Sequence, residues 1–565
     1  MASPPPTGKP SGQYTDSERG TMVDGLTPRD IGVVNETGHV QELERNFSLL
    51  SVCSVGIVTG NTWAALGGSI AVAIYNGGPP GVLYEFIAVS VFYWLVAASL
   101  AELASSMPSS AGVYHWASIT PGPKYGRICG WFAGWWNTFA WYGYLASIKR
   151  CQILTSSMAS ISAQIATAMY ALYHPGFVPE RWHIFIAHLL VTWICCCIVL
   201  FANRALPMVN QIGLFFILAG VFITIVVCAV LPHTTGSGYA SASFVWADWS
   251  NQTGYNSNGF VFLAGMLNGA YAVGTPDCVS HLAEEIPNPR RNVPLAIAAQ
   301  MLIGFFTAFF YMIAIFYAIT NLDDVLGASY FPLAQIYIQA TGGSVPATMG
   351  LLIIIFVPIF CTCIGTFITA GRCLWTLARD EAVPFPGKLG AISPRFKNPF
   401  NATVVCGVFC TILGAIYVGS TTAFSAFVGS FVVLSTLSYL AAILPFIFTK
   451  RFSRASEAPG PFINSMRPGP YKMGHKVGYA VNIVSCLYII VFVVIYCFPY
   501  SLPVTPVNMN YACLIAGGMS IFAAVWWFIK GGKYVGPCAL LHDGSHEGRH
   551  SDMQTHSGST TEKLE

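Results

Sequence analysis

Charge is what this chain has least of: Asp, Glu, Lys and Arg make up 9% of its 565 residues, against about 25% in a soluble globular protein. So few charges cannot clothe a soluble fold of this size. The formal net charge of +3 and the scatter of the basic residues give no footing for a nucleic-acid partner, which needs a basic stripe or patch. A cleavable signal peptide is also missing. Residues 1–45 are polar, with Pro4 to Pro6 and mixed charges, and are expected to form a disordered cytosolic tail. Metal-ligand spacing is lacking too: Cys361 and Cys363 have no His or second Cys pair nearby, so no metal and no cofactor is expected. His542, His546, His550 and His556 fall in residues 531–565, which are expected to be a second disordered cytosolic tail. Most of the 17 cysteines lie inside apolar runs, as in Cys195, Cys196 and Cys197, where a small polarizable side chain packs.

What is abundant is apolar sequence. Hydrophobic residues make up 54% of the chain, in runs long enough to cross about 30 Å of hydrocarbon, which takes roughly 20 residues each. Runs between polar breaks predict spans over Phe47–Tyr75, Val82–Ala104, Ile128–Ile148, Ile184–Phe201, Leu206–Leu231 and Gly259–Leu282. Six more are predicted over Leu295–Ile319, Met349–Leu377, Val404–Val418, Phe424–Phe448, Val477–Phe498 and Tyr511–Ile529. With both termini inside, the inner loops hold Lys124, Arg127, Arg204, Arg290, Arg291, Arg379, Lys388, Arg395, Lys397 and a basic group from Lys450 to Lys476, while the outer loops hold almost only Arg181. That bias is the one expected of an all-α membrane protein whose twelve crossings form one domain over residues 46–530. Asn251 then heads an outward-facing glycosylation sequon with Thr253. Lys149 and Arg150 close the predicted third span, where they either snorkel to the outer interface or line the substrate path.

Two spans are interrupted. The first carries Gly60, Asn61, Thr62, Trp63 and Ala64 at its midpoint, and the sixth carries Gly269, Ala270, Tyr271, Gly274, Pro276 and Asp277. Glycine, proline and backbone-competing polar residues weaken a helix there. Backbone freed at membrane depth must be buried or line a cavity. Broken spans at matching positions of two halves point to a transporter site. A single such glycine would more simply be a close-packing residue.

The stretch Asn76, Gly77, Gly78, Pro79, then Ala101, Glu102, Leu103, Ala104 with Pro108, Gly112, Tyr114, His115 and Trp116, resembles the fungal amino acid and choline permeases of the amino acid, polyamine and organocation superfamily. His281 to Ile286 with Asn288, Pro289 and Pro294, and Ala378, Arg379, Asp380 with Pro384, extend the resemblance over about residues 45 to 530. It implies a LeuT-like five-plus-five inverted repeat with two added helices, a site between helices one, three, six and eight, and proton-coupled alternating access. Carried over, the binding backbone is Gly60 to Ala64, the aromatic gate Tyr271 and the acidic position Asp277. Gly371 departs from the serine usual in such permeases before Arg372, and reads as tuning.

An amine substrate needs aromatic faces, worth roughly 2 kcal/mol when the cation is desolvated. Trp63 and Tyr271 are expected in the site, Trp136 and Trp141 either there or in helix packing, and Trp131 and Trp135 in an interfacial belt. Asn137 either hydrogen-bonds substrate or joins two helices. Asp277 would neutralise an ammonium group or carry the coupling proton, and Glu102 and Glu284 are gating candidates near the cytosolic face. A channel would show a carbonyl filter or charged ring, and a sensor a large cytosolic domain. An enzyme would show paired acids with His. The expected function is therefore a secondary transporter, by proton symport, of choline or an amino acid such as 4-aminobutyrate in the plasma membrane, or else the vacuolar membrane, with a nutrient sensor or channel on the same core as the alternative. Nothing in the sequence sets an oligomeric state.

Overall fold

The computed structural model describes residues 43, 45–68, 70, 74–146, 158–174, 176–328, 331–449, 468–506, 508–534 and 536–537. Lys149, Arg150, most of the first expected tail and residues 538–565 lie outside them. Among the described residues every regular element is a helix, and ten helices are long and apolar enough to cross a membrane. The third crossing, described over Gly126–Ala146 and Met158–Tyr173, and the sixth, which begins with Asn258–Val273, complete twelve. Proline in the first helical turn, where a missing N–H costs nothing, opens the second, fifth, seventh and eighth spans at Pro79, Pro207, Pro289 and Pro346.

The third crossing corrects the sequence reading. It consists of Gly126–Ala146 followed by Met158–Tyr173, so it does not end near Ile148. Along the eighth span, Val345–Arg379, Asn137 meets Cys373 at 3.5 Å. Ser162 meets Cys363 at 4.0 Å, about 15 Å further outward at 1.5 Å per residue. Both segments therefore belong to one passage outward. Ser160, Ser162, Gln164 and Thr167 interrupt the apolar pattern of the second segment, which is why it does not stand out as a span.

Basic loops gather at one end of the bundle. There Arg127 donates to the carbonyls of Gly531 and Tyr534, and Asn203 donates to Lys397 O at 3.1 Å. Tyr534 is buried, so the ordered bundle continues past the expected boundary at residue 530. At the opposite end Asn76 bridges Asn251, and Leu502 N donates to Thr253 O at 2.7 Å. Asn251 lies at this end, where its amide nitrogen donates to Tyr255 O at 2.7 Å and its Oδ1 accepts from Thr253.

The first and eighth spans form the centre, with 83% and 72% of their apolar windows buried, and the twelfth is the rim at 17%. Phe215, Phe222, Ile521 and Phe528 on the fifth and twelfth spans face outward, as lipid-contacting side chains do. Where central helices cross, small residues set the spacing: a methyl at Gly365 would overlap Thr59 Oγ1, and one at Gly371 would sit 2.7 Å from Thr403 Oγ1. The serine expected at 371 would press on the ninth span, Phe400–Gly419. Trp131 and Trp135 form no interfacial belt. Both are buried, and they pack on Trp527 and Phe522 of the twelfth span.

Candidate substrate site

The first span breaks at one residue. Asn61, between Leu49–Gly60 and Thr62–Gly68, stands at φ 24°, ψ 54°, near the left-handed region that asparagine enters more readily than most side chains. Each flanking helix closes on it, with Asn61 N donating to Ile57 O at 2.8 Å and Ala65 N to Asn61 O at 3.1 Å. The carbonyls freed just before it are met from neighbouring helices. Thr362 of the eighth span donates to Val58 O at 2.7 Å, and Tyr144 of the third to Thr59 O at 3.3 Å. Asn61 Nδ2 donates to Thr362 Oγ1 at 2.9 Å, while its Oδ1 and Thr59 Oγ1 are buried with no hydrogen-bond partner among the described residues.

The sixth span breaks over Gly274 to Asp277, between Asn258–Val273 and the 3-10 turn Cys278–Glu285. Pro276 brings no N–H to this stretch. Gln300 of the seventh span, Pro289–Tyr317, donates to Thr275 O at 2.9 Å. Tyr439 of the tenth span, Thr421–Phe448, reaches Gly274 O at 3.2 Å and Asp277 Oδ1 at 2.7 Å. Gln300→Leu strands a buried carbonyl, which costs about 1–3 kcal/mol. The purified variant should show a lower unfolding midpoint in detergent, and an unchanged midpoint would deny the glutamine this role.

Asp277 is fully buried at the centre of this arrangement. Its Oδ2 accepts from Asn137 Nδ2 at 2.8 Å and Trp141 Nε1 at 3.1 Å, and lies 3.2 Å from His281 Nε2. His281 Nδ1 lies 3.1 Å from Ser110 O. The carboxylate is thus held by donors from the third, sixth and tenth spans. Beside it, the rings of Trp141, Tyr144, Tyr271 and Phe431 are linked by centroid distances of 4.7–6.3 Å. An acid beside several ring faces is the chemistry that recognises an organic cation.

The end of the site on the side of the basic loops is latched. Arg372 Nε meets Glu285 Oε1 at 2.6 Å, and Arg379 grips both oxygens of Glu284 at 3.2 Å. Both pairs tie the end of the sixth span to the eighth. Ser110 also accepts from Glu284 N at 3.1 Å.

The structure brings Asn61, Asn137, Trp141, Tyr271, Gly274 and Asp277 into this centre. Others among the expected residues turn elsewhere. Gly60 and Thr62 lie against Gln300 and Gly304 of the seventh span. Trp63 packs edge-on against Tyr311 at 5.0 Å, outside the ring cluster. Gly269 lies against Val89 and Phe86 of the second span. Ala64 and Ala270 are buried without a polar side chain to offer. Trp136 donates to Ser520 of the twelfth span at 2.9 Å, and Glu102 accepts from Met473 N at 2.8 Å ahead of the eleventh. Sequence reasoning missed Tyr144, Gln300, Thr362, Phe431 and Tyr439, which lie within continuous stretches of helix and carry no local signature. A tenth-span wall was not foreseen at all.

The model of the Amino acid permease family matches residues 47–519, which holds both breaks, Asp277 and both latches. The chain belongs to the amino acid permease family. Among its relatives, the choline transporter of Saccharomyces cerevisiae is 32% identical over 508 residues, covering 89% of this chain and 84% of that one. The 7-keto 8-aminopelargonic acid transporter of the same yeast is 26% identical, with 84% and 90% covered. The manganese transporter of Eremococcus coleocola shares the fold, with a TM-score of 0.53 at 11% identity, covering 90% of this chain and 99% of that one. The permease is therefore a multi-pass membrane transporter of a small molecule, built as a five-plus-five inverted repeat with two further helices. Breaks in the first and sixth spans, and walls from the third and eighth, occupy matching places in the two halves.

Proposed function

We propose that the permease carries a small organic amine, choline foremost, across the plasma membrane together with protons. The observation that carries this reading is the buried Asp277 carboxylate beside the rings of Trp141, Tyr144, Tyr271 and Phe431. A quaternary ammonium leaves its water for ring faces at a gain of about 2 kcal/mol when desolvated, and the carboxylate supplies the balancing charge. Asn61 Oδ1 and Thr59 Oγ1, buried without hydrogen-bond partners among the described residues, leave acceptors open to a substrate hydroxyl or N–H. Whole-length similarity to a choline transporter supports the same substrate class.

The test is uptake of labelled choline and a panel of amino acids by a transporter-deficient yeast expressing the chain, with and without a protonophore. Choline uptake that collapses with the proton gradient is expected. Transport of none of these compounds removes the substrate reading, and uptake indifferent to the protonophore removes the coupling.

A further inference from the structure

Glu85 is an acid that the site above leaves unused. It lies in the second span, Gly78–Ser106, about 10 Å in from the outer end at 1.5 Å per residue. It is 2% exposed, and its Oε1 has no hydrogen-bond partner among the described residues. Its carboxyl lies flat on Gly265 in the outer half of the sixth span, where an added methyl would overlap both oxygens. The seventh span brings Phe305, stacked on Phe86 at 5.5 Å, and no charge. From the eleventh span, His475–Ile495, and the turn after it come Tyr488 and Tyr496, whose hydroxyls are 3.0 Å apart. Tyr496 lies within electrostatic range of Glu85, and on the same helix as the acid Tyr93 stands 5.9 Å from the Tyr488 ring. Tyr496 also lines a cavity of about 20 Å³ with Asn76, Thr253 and Asn510 at the outer face, room for one water.

We propose that Glu85 is a proton-binding site of the permease, separate from Asp277, loaded from the outer face past Tyr496 and required in its protonated form for the outer half of the sixth span to close against the second. The proposal rests on the proton-coupled reading above. Two buried acids in one bundle meet opposite surroundings: donors saturate Asp277, whereas Gly265 lies on the Glu85 carboxyl and its Oε1 has no partner among the described residues. An ionised carboxylate with an oxygen left unpartnered at this depth costs several kcal/mol, and the neutral acid far less. Closure therefore binds a proton, and loss of that proton favours withdrawal of the sixth span so that water reaches the carboxylate. A proton held here and a cation held at Asp277 do not compete for one carboxylate, as symport requires.

The test uses the full chain in proteoliposomes, with labelled choline as probe. Glu85→Gln is expected to lower accumulation driven by a pH gradient about tenfold or more, the scale of a coupling free energy between two sites. Exchange of choline at equal concentrations should stay within about twofold of wild type, because it needs no net proton movement. A second readout needs no substrate: relative to Glu85→Gln, the wild-type unfolding midpoint should fall as the pH rises from about 5 to about 8. Glu85→Leu, which fills similar space without polar atoms, serves if the amide variant does not fold. Parallel pH dependence of wild type and variant overturns the proton site even if choline proves not to be the substrate. Gradient-driven accumulation equal to wild type overturns it as well.

Discussion

Asp277→Asn is expected to lower choline uptake about a hundredfold or more while the chain still reaches the membrane. Opposite unit charges about 4 Å apart attract by about 4 kcal/mol at an effective dielectric near 20, so loss of the charge alone accounts for that fall. The amide itself fits the shell. Asp277 Oδ2 accepts from Asn137 and Trp141, and Oδ1 from Tyr439. An asparagine oxygen in the Oδ2 place keeps the first two bonds, and its NH2 can donate to the Tyr439 hydroxyl, which still donates to Gly274 O. Uptake per molecule of surface-expressed protein is the measurement. A variant that transports choline at the wild-type rate, with the wild-type pH profile, would show that Asp277 neither neutralises substrate nor supports coupling.

Breaking the inner latch should have the next largest effect. Arg372 and Glu285 are 0% and 3% exposed and meet at 2.6 Å, and removing one partner of such a buried pair costs about 3–5 kcal/mol because the other charge stays behind. Arg372→Met leaves Glu285 alone against the eighth span, so the chain relieves the charge by releasing the end of the sixth span toward the cytosol. Cys373, buried 3.5 Å from both His281 ring nitrogens, lies directly behind that latch. Its alkylation by a membrane-impermeant reagent from the cytosolic side, quantified by mass spectrometry of its peptide, should rise about tenfold or more in the variant, since a few kcal/mol is ample to shift a two-state population that far. Adding Glu285→Met to it should restore part of the protection. Labelling and stability identical to wild type in Arg372→Met would mean that the pair holds nothing shut.

The large divisions of the fold are legible in the sequence because two physical constraints act on it at long range. Crossing length sets where apolar runs begin and end, and charge asymmetry sets which loops share a side. The two breaks are legible because Gly60–Asn61 and Gly274–Pro276 change the backbone itself. Side-chain direction is not legible. Trp63, two residues after Asn61, faces Tyr311 instead of the ring cluster, since a helix rotates its side chains by about 100° per residue and only packing says which way is inward. Tyr439 and Gln300 close the sixth break from helices with no local irregularity, and their role exists only once the chain is folded. Met158–Tyr173 escaped notice for a different reason: polar side chains such as Ser162 and Gln164 are tolerated in a span that is shielded from lipid by its neighbours.

Binding of choline and of its neutral isostere 3,3-dimethyl-1-butanol to the purified permease tests the central claim most directly. The two molecules share shape and volume and differ in one charge. The acid-and-aromatic site predicts that choline binds about tenfold tighter or more, from the cation–ring attraction of about 2 kcal/mol together with Asp277, and that Asp277→Asn removes most of the difference. Equal affinities of the wild-type protein for the two compounds would contradict recognition of a cation at this site.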